Sequence, residues 1–262
     1  MRILFIGDIV AKRGREIVKS LLPGLKTKHR IDFVIANGEN ATHGKGLIYN
    51  HYKFLLDAGI DCITLGNHYG DKNEIDSYLD QANQLVRPLN LKKEYPGVGT
   101  TLFYSEEGYK IRVTNVLGTV FMHEEVDNPF ESLDKILSEE EKADIHIVDF
   151  HCEATAEKEA FGWAFDGRVT AIVGTHTHVQ TRDARILPQG TGYLTDVGMC
   201  GPYNSVLGVK KETIINRMWK NEKTRFEYDD HDEALFSAVV IDVDETTGFT
   251  KEMIPIYIVE SK

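Results

Sequence analysis

The stretch Val169-Thr170-Ala171-Ile172-Val173-Gly174-Thr175-His176-Thr177-His178 joins an apolar, β-branched run to a pair of histidines. Such a run predicts a buried strand, because β-branched side chains pack well on a pleated surface. The histidines follow its end at i and i+2, and on extended backbone that spacing points both rings to one side. Neutral imidazole is a ligand for Zn, Fe, Mn or Ni. Taken alone, the pair reads equally well as two surface histidines on a loop. The two readings separate only when other strand ends are compared with this one.

Four do end alike. Ile3 to Ile6 runs into Gly7-Asp8, and Phe33 to Ala36 into Asn37-Gly38-Glu39-Asn40. Cys62 to Leu65 runs into Gly66-Asn67-His68, and Ile145 to Val148 into Asp149-Phe150-His151. The first three strands alternate with helical patterns, at about residues 14–28 and 50–58. Pro23 is expected to kink or split the first helix, since proline removes a backbone donor. Strand–helix units in series predict a layered α/β fold with crossover helices. In such sheets ligands sit beyond the carboxyl ends of the strands.

The rest of the chain is less regular. Thr101 to Val113 reads as a hairpin. Residues 118–142 hold a loop carrying His123 and an acidic helix from Leu133 to Glu141, a small cap within one domain spanning 1–262. Phe226 to Tyr228, Leu235 to Val243 and Ile254 to Val259 read as late strands of an antiparallel edge sheet, with a solvated acidic turn at 229–233.

The chain has 262 residues and a net charge of -11, which argues against long nucleic acids as partners, because backbone binding needs clustered Lys and Arg. A small phosphorylated substrate remains compatible, since metal ions reverse the local sign of an acidic site. Cys62, Cys152 and Cys200 form no CxxC pair, as expected of a reducing cytoplasm. The apolar run at the N-terminus is too short for a signal segment, and no stretch reaches about 18 apolar residues, so no membrane partner is expected.

The strand ends together hold more metal-capable groups than the about four ligands of a closed zinc site. That excess favours two ions, and two-ion centres suit phosphoester hydrolysis. The ordered set Gly7-Asp8, Gly38-Glu39-Asn40, Gly66-Asn67-His68 and Gly174-Thr175-His176-Thr177-His178 resembles the motifs of the calcineurin-like metallophosphoesterases. It is most similar to the YmdB-like branch, described as acting on 2',3'-cyclic nucleotides. Further resemblance lies in Gly38 to Gly46, Asp149 to Thr155, Gly174 to Thr181 and Thr195 to Pro202. Val10 stands where the wider superfamily has histidine, and Glu39 where it has a bridging aspartate. Both departures are shared by the YmdB-like branch.

The resemblance implies an α/β/β/α β-sandwich flanked by helices. It implies one ion held by Asp8, Glu39, Asn40 and His178, and a second held by Glu39, Asn67, His151 and His176. Fe, Mn and Zn all suit such ligands. It further implies a homo-oligomer. His68 is the candidate donor of a proton to the leaving group. His43 and Lys45, in the Gly-rich loop after Asn40, and Tyr203 are weaker candidates for substrate contact. Phe150 is read either as a base-stacking ring or as core, and Cys152 as a buried hydrophobe. Lys45, Arg182 and Arg185 are a candidate phosphate clamp. The expected activity is hydrolysis of 2',3'-cyclic nucleotides or similar small phosphodiesters. The alternatives are a phosphomonoesterase on the same centre, or a signalling protein that recognises a ligand with weak turnover.

Overall fold

A computed structural model describes residues 1–92, 95–228 and 233–261. His231 and most of the acidic turn expected at 229–233 lie outside the described residues. The chain opens with β1 (Arg2–Ile6), β2 (Asp8–Ile9), α1 (Ala11–His29), β3 (Phe33–Asn37), α2 (Tyr49–Asp57), β4 (Cys62–Thr64) and β5 (Leu85–Val86). Next come β6 (Thr100–Tyr104), β7 (Lys110–Leu117), α3 (Pro129–Glu139), β8 (Ile145–His151), α4 (Thr155–Ala164), β9 (Ala171–Thr175), β10 (Arg185–Ile186) and β11 (Gly192–Leu194). The last part holds β12 (Met199–Pro202), β13 (Ser205–Val206), β14 (Val209–Lys210), α5 (Lys211–Lys220), β15 (Ala234–Val243) and β16 (Thr250–Glu260).

Among the described residues these strands form two large sheets and a small hairpin. The first sheet runs β2-β12-β15-β1-β3-β4-β5 with β16 paired to β15, and the second runs β10-β11-β9-β8-β7-β6. Period-two alternation decides what each strand face meets. On β1, Ile3 and Phe5 join Val113, Ile147 and Val173 in the core between the sheets. Leu4 and Ile6 face the other way and pack with Ile17, Val18, Leu22 and Leu25 of α1. On β8, Val148 and Phe150 meet Phe161 of α4 and Leu133 of α3. The order of layers is therefore helix, sheet, sheet, helix, the mixed α/β architecture expected.

Three local expectations need correction. α1 runs unbroken through Pro23. Pro23 sits on its exposed face, where water can satisfy the carbonyl one turn earlier. The late strands are not all at an edge: β15 lies inside the first sheet between β1 and β16, in antiparallel register Phe5↔Val239, and only β16 is marginal. Phe226 to Tyr228 forms no strand beyond an isolated bridge of Tyr228 to Val209. Segment 118–142 is irregular up to α3, whose Leu133 packs into the outer core.

Candidate metal centre

The parallel strands end at one rim. β1 and β3 are in register at Ile6↔Ala36, β3 and β4 at Asn37↔Thr64, and β8 and β9 at His151↔Thr175. Each strand passes its next residues into the same space. The first sheet delivers Asp8, Glu39, Asn40 and Asn67, and the second delivers His151, His176 and His178. Close approach of the two sets needs Gly66, where a Cβ would fall against the Glu39 carboxylate and the His151 ring.

The seven groups crowd together, with Asp8 Oδ1 4.0 Å from His151 Nδ1 and Asp8 Oδ2 accepting the His176 backbone N–H at 3.2 Å. His178 Nε2 lies 3.1 Å from Asn40 Oδ1 and 3.8 Å from Asp8 Oδ1. His151 Nε2 lies 3.0 Å from Asn67 Oδ1, 3.2 Å from Glu39 Oε1 and 3.0 Å from His176 Nδ1. Glu39, His151 and His176 place ligand atoms within 4.8 Å of one another. The backbone achieving this is not the extended one expected. β9 stops at Thr175, and His176 and His178 have φ of 99° and 65°. Such left-handed backbone is costly for non-glycine residues and clusters at functional sites. Here it turns the two rings toward different neighbours.

The outward nitrogen of each imidazole is capped by an acceptor, which assigns the tautomer. Thr175 Oγ1 donates to Asp149 Oδ1 at 2.6 Å, so at 2.8 Å from His151 Nδ1 it accepts from that ring. His176 Nε2 faces Glu153 Oε2 at 3.1 Å, and His178 Nδ1 faces the Leu207 carbonyl at 3.2 Å. Asn40 Nδ2 donates to the Gly44 carbonyl at 3.0 Å, which turns its oxygen inward. The inward atoms are thus the lone pairs of His176 and His178, the Nε2 of a protonated His151 that donates to Glu39 Oε1, two amide oxygens and two carboxylates; a cation bound there would displace that proton. Asp8 Oδ1 is buried with no hydrogen-bond partner among the described residues. A buried acceptor without a donor is costly. Converging N and O ligand atoms, one carboxylate oxygen among them without a donor among the described residues, fit transition-metal cations.

The titration behaviour follows from the same crowding. Burial and the neighbouring His151 charge lower His176 to about 3, and burial also lowers His178, so both rings are neutral and ligand-ready. Burial, helped by the Glu39, Asp196 and Asp149 charges, outweighs His151 and raises Asp8 well above the usual carboxylate range. Burial opposes charge on His151, yet Glu39, Asp8 and Asp149 outweigh it and push that ring up to about 9. Burial would raise Glu39 too, but His151 and His68 outweigh it and bring it to about 2.

Other expected residues are placed as follows. The His68 N–H donates to Glu39 Oε2 at 2.9 Å, its Nδ1 lies 2.9 Å from Asp71 Oδ2, and its ring lines the cleft. Lys45 also lines the cleft, whereas His43 is exposed outside that lining, its ring 6.3 Å from His51. Tyr203 is not brought there either. Pro202 pairs with Ala234 and the Tyr203 N–H donates to the Glu233 carbonyl, which carries the ring along the sheet toward Tyr257. Phe150 is buried and stacked on Phe161 with centroids 4.0 Å apart, which rules out base stacking. Cys152 packs in the same outer core. Arg185 bonds Glu159 and covers the Trp163 and Tyr193 rings, and Arg182 and His123 are exposed outside the cleft lining, so no arginine clamp forms there.

Sequence reasoning missed the supports. Asp149 Oδ2 also accepts from Thr64 Oγ1 at 2.5 Å and Asn37 Nδ2 at 3.1 Å, binding the two sheets beneath the centre. Lys158 Nζ, buried on α4, donates to Asp196 Oδ2 at 2.7 Å and to the Thr175 carbonyl at 2.8 Å. Asp149 was visible as an i−2 neighbour of His151 on the same strand face. Nothing local marks Lys158, since the fourth residue of a helix is ordinarily solvated. Removing the Thr175 hydroxyl tests the support directly. Thr175→Val should weaken divalent-cation binding by about 10- to 100-fold with unchanged circular dichroism. Equal affinity in titration calorimetry would show that the hydroxyl does not orient His151.

A two-sheet sandwich with helices outside gathers carboxylates, amides and imidazoles at one rim, and the relatives of this chain make it a phosphoric ester hydrolase. The family model described as YmdB-like protein matches residues 4–256, and the chain belongs to that family. It is 50% identical over 248 residues to the 2',3'-cyclic-nucleotide 2'-phosphodiesterase of Bacillus subtilis, covering 94% of this chain and 93% of that one. A solved phosphatase structure from Mycoplasma pneumoniae superposes with TM-score 0.93 at 43% identity, covering 100% of this chain and 94% of that one. A Thermus thermophilus protein structure superposes with TM-score 0.92 at 42% identity, covering 99% and 100%.

Proposed function

We propose that this chain hydrolyses one ester bond of 2',3'-cyclic nucleotides or similar small phosphodiesters, using two metal ions. Asp8, Glu39, Asn40 and His178 would hold one ion, and Glu39, Asn67, His151 and His176 the other, with Fe, Mn or Zn as the candidates. The observation that carries this reading is the convergence of seven N- and O-ligand groups on one rim, above all Asp8 Oδ1, which is buried with no hydrogen-bond partner among the described residues. Such ions supply a water nucleophile at neutral pH and offset charge developing on phosphorus-bound oxygens.

The chain's own groups do the rest. His68 stands at the cleft with Nδ1 held by Asp71, which orients the opposite ring nitrogen to give a proton to the leaving oxygen. Lys45 offers a point charge to a phosphate oxygen. A monoester carries a second negative charge that calls for a denser cationic clamp. Lys45 is the one Lys or Arg among the described cleft-lining residues, which favours the diester. A cytoplasmic location accords with three free, buried cysteines, and among the described residues no helix is long and apolar enough to cross a membrane. Exposed Met218 and Trp219 on α5 offer apolar surface for a homo-oligomer.

The test is a metal-reconstituted assay across 2',3'-cyclic, 3',5'-cyclic and monoester substrates. The 2',3'-cyclic nucleotides should give the highest kcat/KM. Turnover confined to monoesters would overturn the proposal.

A further inference from the structure

The cleft over the metal centre, about 360 Å³, is divided in character. Its floor is polar, with Glu39, Asn40, His68, His176 and His178. Its outer wall is formed by Leu207, Val209, Phe226 and Tyr228, all from the connection between β12 and β15. Phe226 is 39% exposed, which leaves ring surface free at the cleft mouth. The Arg217 guanidinium sits 5.0 Å from its centroid, so one face is braced. Tyr228 is held by its bridge to Val209, and its ring lies over Gly44, where a Cβ would fall inside it. That contact ties the apolar wall to the loop carrying Lys45.

We propose that this wall is the nucleobase subsite, with Phe226 as the residue that determines preference for a nucleoside over a base-free phosphodiester. The inference rests on the phosphodiesterase reading above. A nucleotide has an anionic end and a flat, weakly polar end, and the cleft is divided in the same way. The Phe226 ring stacks on any base, because every base presents a π-face. Leu207, Val209 and Phe226 have no side-chain donor or acceptor and the Tyr228 hydroxyl is turned against Gly44, so the wall registers that a base is present and does not read its edge. Arg217 orders the ring before substrate arrives, which lowers the cost of binding.

The experiment compares wild type with Phe226→Ala, Phe226→Leu and Phe226→Trp as metal-loaded enzymes. The substrates are the four 2',3'-cyclic nucleotides and 1-O-methylribose 2',3'-cyclic phosphate, which has no base. For Ala and Leu, KM for every nucleotide should rise about tenfold with kcat kept, while KM for the base-free substrate stays put. Trp should retain nucleotide KM. The Leu variant keeps the test open should Ala fail to fold. Equal KM changes for both substrate kinds, or for neither, overturn the subsite. Wild-type enzyme that hydrolyses the base-free ester but shows no nucleotide preference overturns it while leaving the phosphodiesterase reading intact. Wild-type enzyme that hydrolyses none of these diesters overturns both.

Discussion

Glu39→Gln should lower turnover by at least about 100-fold and reduce the amount of metal retained through gel filtration. Glu39 occupies the middle of the centre. Its Oε1 lies 3.2 Å from His151 Nε2, and its Oε2 accepts the His68 N–H at 2.9 Å. Glutamine keeps the shape but removes the charge that two ions would share, and it places an NH2 donor among acceptors. Loss of a group that merely orients a ligand costs about 10- to 100-fold in metal affinity or activity, so loss of a shared ligand should cost no less than the upper end. Turnover and metal content should be measured on the same preparation. If both match wild type, Glu39 is not the bridge.

The second large effect concerns stability. Lys158→Met should destabilise the fold by about 3–5 kcal/mol, the usual cost of stranding one partner of a buried ion pair. Both side chains are 1% exposed. Asp196 would retain the N–H groups of Thr177 and Gly198 at 3.1 and 2.8 Å but lose its only counter-charge at bonding distance among the described residues. The Thr175 carbonyl would lose its ammonium partner as well, so the loop between His176 and His178 would loosen from beneath. Replacing both partners, as Lys158→Met with Asp196→Asn, should recover part of the loss, because no uncompensated charge remains. Urea unfolding followed by fluorescence reads both variants. A single mutant with the wild-type midpoint would mean that the pair contributes nothing to holding this loop.

The rim of the sheets was legible because each contributing strand is short, apolar and ended by a residue of evident chemistry. Glu39, His151 and His176 could therefore be gathered into one place from topology alone. What escaped was anything set by long-range register. β15 looked like an edge strand because its alternation says nothing about how many neighbours it has. The opposed directions of His176 and His178 depend on positive φ at non-glycine positions, which no propensity announces. Tyr203 and Phe226 are both exposed aromatics on irregular chain, and only the pairing of Pro202 with Ala234 and of Tyr228 with Val209 decides which of them overlooks the cleft.

The division of the centre between the sheets has a consequence for the lifetime of the molecule. The carboxylates come from one slab of the sandwich and the imidazoles from the other, so neither slab alone completes a binding site. Any cation that enters acts as a rivet across the seam, and its binding energy is added to the cohesion of the two halves. At a free concentration about a thousand times its dissociation constant, that contribution reaches about 4 kcal/mol. On the proposed two-ion reading, a shortage of the ion would therefore deplete the folded population as well as slow its chemistry, so that supply of metal would govern both how fast each molecule works and how many of them there are.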